Sequence, residues 1–121
     1  MLSRLHRFHG HNSVRVAYRQ GKTVRSTYGS LHYHVSDRRR RYRLAVVVSK
    51  KVSKSAVVRN RIRRRLYEAV RLQEAAITKP YDLVLTVHGE QLATMPHAEL
   101  TAVVHGLLKQ AGILQAGQPE A

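Results

Sequence analysis

The spacing of hydrophobic positions changes several times along the chain, and each change marks an element. Asn12 or Ser13 is suited to cap a short helix whose apolar side is Val14, Ala17 and Tyr18, with Gly21 as its stop. Over residues 28–35 the pattern alternates, placing Leu31, Tyr33 and Val35 on one face and Ser30, His32 and His34 on the other. That alternation predicts a half-exposed strand. Residues 37–41 read as a charged turn. Leu44-Ala45-Val46-Val47-Val48 is an unbroken apolar run, which predicts a central strand over 42–49 covered on both faces. Ser53 or Ser55 then caps a long helix reaching about Glu74, and Lys79-Pro80 ends it. Residues 81–87 form another strand, broken by His88-Gly89. The last helix starts near Thr94 with Pro96 in its first turn, buries Leu100, Val103, Val104, Leu107 and Leu108, and stops near Gly112.

The predicted order is therefore α-β-β-α-β-α, a small sheet with helices packed on it, of the α+β class. The 121 residues suit one core, and no internal repeat or linker interrupts them. Residues 1–11 read as a basic lead-in, 12–114 as a single domain and 115–121 as a disordered tail.

Charge changes the picture most within the long helix. At about 100° per residue, Val58, Ile62, Leu66, Ala69 and Gln73 share one arc with Val70 beside it, and this arc faces the sheet. Asn60, Arg63, Arg64, Tyr67 and Arg71 are expected on the opposite face, with Arg59, Arg61 and Arg65 along the borders. A solvated helix face normally mixes signs; this one offers six arginines and one glutamate. Guanidinium groups match phosphate oxygens two at a time, so the imbalance points to a polyanion. Lys50, Lys51 and Lys54, between the apolar run and the helix, extend the same basic surface toward a helix N-terminus.

Composition agrees. Lysine and arginine total 22 against 7 acidic residues, a formal net charge of +15, and 43% of residues are hydrophobic, enough for a core. Fourteen of the 22 basic residues lie between Arg38 and Arg71 with one acid, Glu68. No long apolar span or basic amphipathic terminus favours a membrane, and no helix-turn-helix or dimerisation heptad favours DNA. The start lacks the apolar run of a signal peptide, so a cytoplasmic location is expected. The absence of cysteine excludes disulfides, thiolate zinc sites and a cysteine nucleophile. Eight histidines invite a metal reading, but the closest pairs, His9 with His11 and His32 with His34, have no carboxylate beside them. The seven acids are scattered, so no two-metal nuclease centre is expected, and Asp82 reads as a strand-start residue or an arginine partner.

Ser49-Lys50-Lys51, Lys54, the run from Ala56 to Leu66 and Glu68-Ala69 together resemble the signature of the bacterial ribonuclease P protein subunit. The similarity extends more loosely over roughly residues 4–112. It implies a fold like the second domain of ribosomal protein S5, with the long helix joining two parallel strands by a left-handed crossover. Physical rules alone favour the right-handed one. It also implies that Lys50, Lys51, Lys54, Arg59, Asn60, Arg61, Arg63, Arg64, Arg65 and Arg71 meet the catalytic RNA, which cleaves precursor tRNA with Mg2+ and no catalytic group or cofactor from the protein. A separate cleft would hold the 5′ leader of precursor tRNA, using Phe8, Val14, Tyr18, His32 and His34. Val14 departs from the family there, where phenylalanine is common. The alternative reading is a small ribosomal or ribosome-assembly protein that binds ribosomal RNA through the same helix.

Overall fold

The computed structural model describes residues 21–35 and 41–114. The predicted first helix with Val14 and Tyr18, the lead-in with Phe8, most of the charged turn and the tail lie outside the described residues. Four strands form one sheet: β1 (Lys22–Arg25), β2 (Gly29–Val35), β3 (Arg43–Val47) and β4 (Tyr81–Val87), in the order β1-β2-β4-β3. β1 and β4 both run antiparallel to β2, and β3 runs parallel to β4. Helix α1 (Ala56–Arg71) connects those two parallel strands, and helix α2 (His97–Gln110) follows a 3₁₀ turn at Glu90–Ala93.

Three expectations need correction. The apolar run of β3 lies at an edge of the sheet rather than at its centre, and β4 takes the interior place. The run is apolar because both faces are covered: Leu44 and Val46 join the main core while Ala45 is buried against Val84 on the other side. β1 was not expected at all. It is four residues long and offers a single apolar side chain, Val24, to the core, too little for a periodicity signal. The third correction concerns α2, which begins at His97 with Pro96 as its N-cap residue, while Glu90–Ala93 forms the separate turn before it.

The core lies between one sheet face and the two described helices. Leu31, Leu44, Val46, Leu83, Leu85 and Val87 meet Ile62, Leu66, Ala69 and Val70 of α1 and Leu100, Val104, Leu107 and Leu108 of α2. Tyr33 is on this face too, its ring edge-on to Tyr81 at 6.5 Å. Val35 continues the alternation past the packed region and is 41% exposed. Ser55 caps α1, its hydroxyl accepting from the Val58 N–H at 3.3 Å. α2 ends in a Schellman turn: Gly112 takes the left-handed conformation at φ +74°, and the N–H groups of Gly112 and Ile113 donate to Lys109 and Leu108. At Gly29 the β2 backbone leaves no room for a side chain, since a Cβ would stand 2.8 Å from the Thr86 carbonyl oxygen.

Candidate nucleic-acid interface

Two surfaces concentrate functional side chains, and the fold separates them. The first is built on α1 and the loop that feeds it. That loop leaves β3 in a tight turn, the Val52 N–H donating to the Ser49 carbonyl at 3.1 Å. The buried Ser53 hydroxyl accepts from the Ser55 N–H at 3.2 Å, which holds the chain at the helix entrance. Lys50, Lys51 and Lys54 are exposed around this turn.

Along α1 the inward arc is Ile62, Leu66, Ala69 and Val70, with Val58 half-buried beside it. The side pointing away from the core is centred on Val57, Asn60, Arg61 and Arg64, all exposed, and Val57 is 75% exposed. This shifts the expected outward face. Tyr67 leans onto β3, its hydroxyl oxygen accepting from the Val46 N–H at 3.4 Å. Arg63 donates to Asn60 Oδ1 at 2.7 Å and reaches the Val48 carbonyl at 3.4 Å.

The arginines divide accordingly. Arg59 turns back to donate to the carbonyls of Ser53 at 2.9 Å and Lys54 at 3.1 Å. Arg65, expected on a border with its guanidinium directed outward, instead donates to the Leu92 carbonyl at 2.6 Å and to the Met95 carbonyl. Its planar fork thereby ties the 3₁₀ turn and the start of α2 to α1. Arg71 is ion-paired with Glu68, and this guanidinium holds the Glu68 carboxyl down to about 2. Arg61 and Arg64, by contrast, make no hydrogen bond or ion pair among the described residues. With Lys50, Lys51 and Lys54 they form a row of cations open to solvent. Arg64 also lines an open groove of about 240 Å³ between the helices, with Glu68, His97 and Leu100.

The second surface is the sheet face away from both described helices. The register settles which side of β2 it takes: Ser30, His32 and His34. One row across this face is Arg25, Ser30, Thr86 and Val47; the next is Thr23, His32, Val84 and Ala45; the third is His34, Asp82 and Arg43. Arg43 grips Asp82 with two hydrogen bonds, at 2.9 and 3.1 Å, and the side chains are 15% and 10% exposed. Asp82 is thus the arginine partner foreseen for it. Thr23 Oγ1 lies 2.8 Å from His32 Nδ1, and Ser30 Oγ lies 3.1 Å from His88 Nε2. Burial, followed by the charges of Arg25 and His88, pushes the His32 imidazole below its ordinary 6.5.

His88, Thr23 and Arg25 were absent from the expected site. Continuing the alternation Asp82, Val84, Thr86 by one more step reaches His88, so parity carried the signal. Reading His88-Gly89 as a strand break hid it. Among the described residues no three histidine, aspartate or glutamate side chains are placed to hold a metal ion.

These features define a class: an α+β RNA-binding domain with a basic crossover helix and a separate polar sheet face. The family model for Ribonuclease P matches residues 2–112, and the chain belongs to the ribonuclease P protein family. It is 42% identical over 84 residues to the ribonuclease P protein component of Roseiflexus castenholzii, covering 69% of this chain and 68% of that protein. The corresponding component of Symbiobacterium thermophilum is 36% identical over 98 residues, 81% of this chain and 84% of that one. Among solved structures, the Staphylococcus aureus RNase P protein superposes with a TM-score of 0.81 at 21% identity, covering 91% of this chain and 98% of that chain. The RNase P protein of Thermotoga maritima gives 0.77 at 21% identity over 86% and 96%. At that identity the two structures speak for the fold.

Proposed function

We propose that this chain is the protein subunit of a bacterial ribonuclease P, acting in the cytoplasm in 5′ maturation of precursor tRNA, where it binds the catalytic RNA through the α1 surface and the 5′ leader on the sheet face. The observation that carries the reading is the open row of Lys50, Lys51, Lys54, Arg61 and Arg64 in a member of this family. Among the described residues these cations have no carboxylate partner, so they repel one another, and phosphates relieve that repulsion. Each phosphate neutralised releases counterions, so binding falls steeply with salt.

The protein acts as an accessory. Three of its described carboxylates are engaged structurally, Asp82 with Arg43, Glu68 with Arg71, and Glu74 as acceptor from the Tyr42 hydroxyl at 2.8 Å, while Glu90 and Glu99 are exposed. Phosphodiester hydrolysis belongs to the RNA subunit and its Mg2+ ions. The protein's contribution is electrostatic and positional, lowering the repulsion between two RNAs as they meet. Phe8, Val14 and Tyr18 are assigned to the leader site with His32 and His34 on family resemblance.

The test is cleavage of precursor tRNA by the cognate catalytic RNA at low magnesium, with and without this chain. Strong stimulation is expected, and larger stimulation for substrates carrying a leader. No stimulation would overturn the reading. Replacing Arg61 and Arg64 together by alanine is expected to lower the salt slope of catalytic-RNA binding by about 1.4 to 1.8.

A further inference from the structure

The leader surface carries a feature that phosphate neutralisation does not explain. Around the β1–β2–β4 end of the sheet face lie two imidazoles, His32 and His88, and each has a hydroxyl within hydrogen-bond distance of one ring nitrogen. Thr23 Oγ1 holds His32 Nδ1, and Ser30 Oγ holds His88 Nε2. The two hydroxyls are not equivalent, because Ser30 is 5% exposed whereas Thr23 is exposed. The His88 ring is therefore tethered at one edge to a buried group while the residue itself is open to solvent. Its backbone is fixed as well, since the His88 N–H donates to the Tyr28 carbonyl at 2.9 Å and prolongs the β2–β4 ladder.

A ring anchored by its backbone and by one nitrogen is preorganised for a planar ligand, which reduces the ordering cost of binding. We infer that His88, held by Ser30 on the face it shares with His32, is a base-contacting, specificity-determining position for single-stranded RNA on this face. The inference rests on the proposed leader site.

Three observations favour a base over a phosphate as the group His88 meets. The described acid on this face, Asp82, is paired with Arg43 in the His34 row, three rows from His88. Arg25, in the same row as Ser30, already supplies a permanent cation for the backbone. His32, the other imidazole of this end of the face, is kept below its ordinary pKa by burial, Arg25 and His88, which favours a neutral His32 ring near pH 7. A neutral imidazole offers a flat face for stacking, and its ring nitrogens exchange hydrogen bonds with base edges. Stacking supplies sequence-tolerant affinity and the hydrogen bond supplies preference.

The experiment measures equilibrium binding of precursor and mature tRNA to the holoenzyme formed from the cognate catalytic RNA and the full chain. His88→Ala is expected to weaken precursor binding by about tenfold, the order of one lost base–aromatic stack. Mature tRNA binding and the salt slope should not change. His88→Phe should keep most of the affinity yet flatten the preference among precursors that differ at single leader nucleotides. Equal precursor binding by wild type and His88→Ala would overturn the inference, as would parallel losses for precursor and mature tRNA. A salt slope reduced by about one unit would show a phosphate contact and overturn it too. If the wild-type holoenzyme itself does not distinguish precursor from mature tRNA, the leader site falls and the His88 assignment falls with it.

Discussion

Arg65 separates two readings of the basic helix, because residue type alone groups it with Arg64 and geometry does not. Its guanidinium donates to the carbonyls of Leu92 and Met95, in the segment that connects β4 to α2. Hydrogen bonds from a charged donor contribute about 1.5–3 kcal/mol each, and partial exposure puts these at the low end or below. Arg65→Ala removes both and leaves the two carbonyls to find water, so a net loss of about 2 kcal/mol is expected. Unfolding entropy of about 2.1 cal/mol/K per residue gives about 0.25 kcal/mol/K for 121 residues, hence a fall in Tm of about 8 °C. Arg64→Ala removes no hydrogen bond or ion pair among the described residues and should move Tm by less than about 2 °C. The paired assay is thermal unfolding together with catalytic-RNA binding at several salt concentrations. Arg65→Ala should lower Tm and keep the slope; Arg64→Ala should keep Tm and lower the slope by about 0.7–0.9. An Arg65→Ala protein with wild-type Tm and a reduced slope would refute the assignment of Arg65 to the α1–α2 junction.

Two further outcomes follow from the sheet face. Asp82→Ala removes the carboxylate partner of the mostly buried Arg43 guanidinium and is expected to cost about 3 kcal/mol in chemical unfolding; the double variant Arg43→Met, Asp82→Leu should recover most of it, and equal losses would argue against a buried pair. The His32 imidazole should titrate with a midpoint below 6.5 when followed by NMR, since burial, Arg25 and His88 all disfavour its charged form. Its folded-state value is depressed relative to the unfolded chain, so its stability contribution is complete above about 6.5 and declines as pH falls toward that midpoint. His32→Gln should remove this component of acid destabilisation, and a midpoint at or above 6.5 would contradict the environment described.

How much was legible in the sequence depended on whether a signal was local. The alternation in β2, the Ser55 cap, the inward arc of α1 and the glycine stop of α2 arise from residues within a turn or two of one another, and each was readable. Strand order was not, because an apolar run records burial on both faces and not the number of hydrogen-bonded neighbours; β3 meets the first condition from an edge. The arginines show the same limit at side-chain scale. Charge arithmetic marked the helix as a candidate phosphate-binding surface, but whether a guanidinium is available depends on carbonyls contributed from elsewhere. Those of Leu92 and Met95 reach Arg65 across 27 and 30 residues of chain. His88 was hidden similarly, since its partner Ser30 lies 58 residues away.

The edge position of β3 also links the two surfaces. Its side chains Arg43, Ala45 and Val47 belong to the sheet face, while the loop leaving its end carries Lys50, Lys51 and Lys54 into α1. No described strand flanks β3 on its outer side, so the chain can present the polar face and the cationic loop around one edge. An RNA held at the loop raises the local concentration of a strand reaching the sheet face, and each contact then strengthens the other without a shared side chain. The coupling is geometric: lengthening the 49–55 loop by flexible residues should weaken it while leaving the separate affinities of the two surfaces intact. Loss of both affinities together would instead mean that the loop insertion had disturbed the fold.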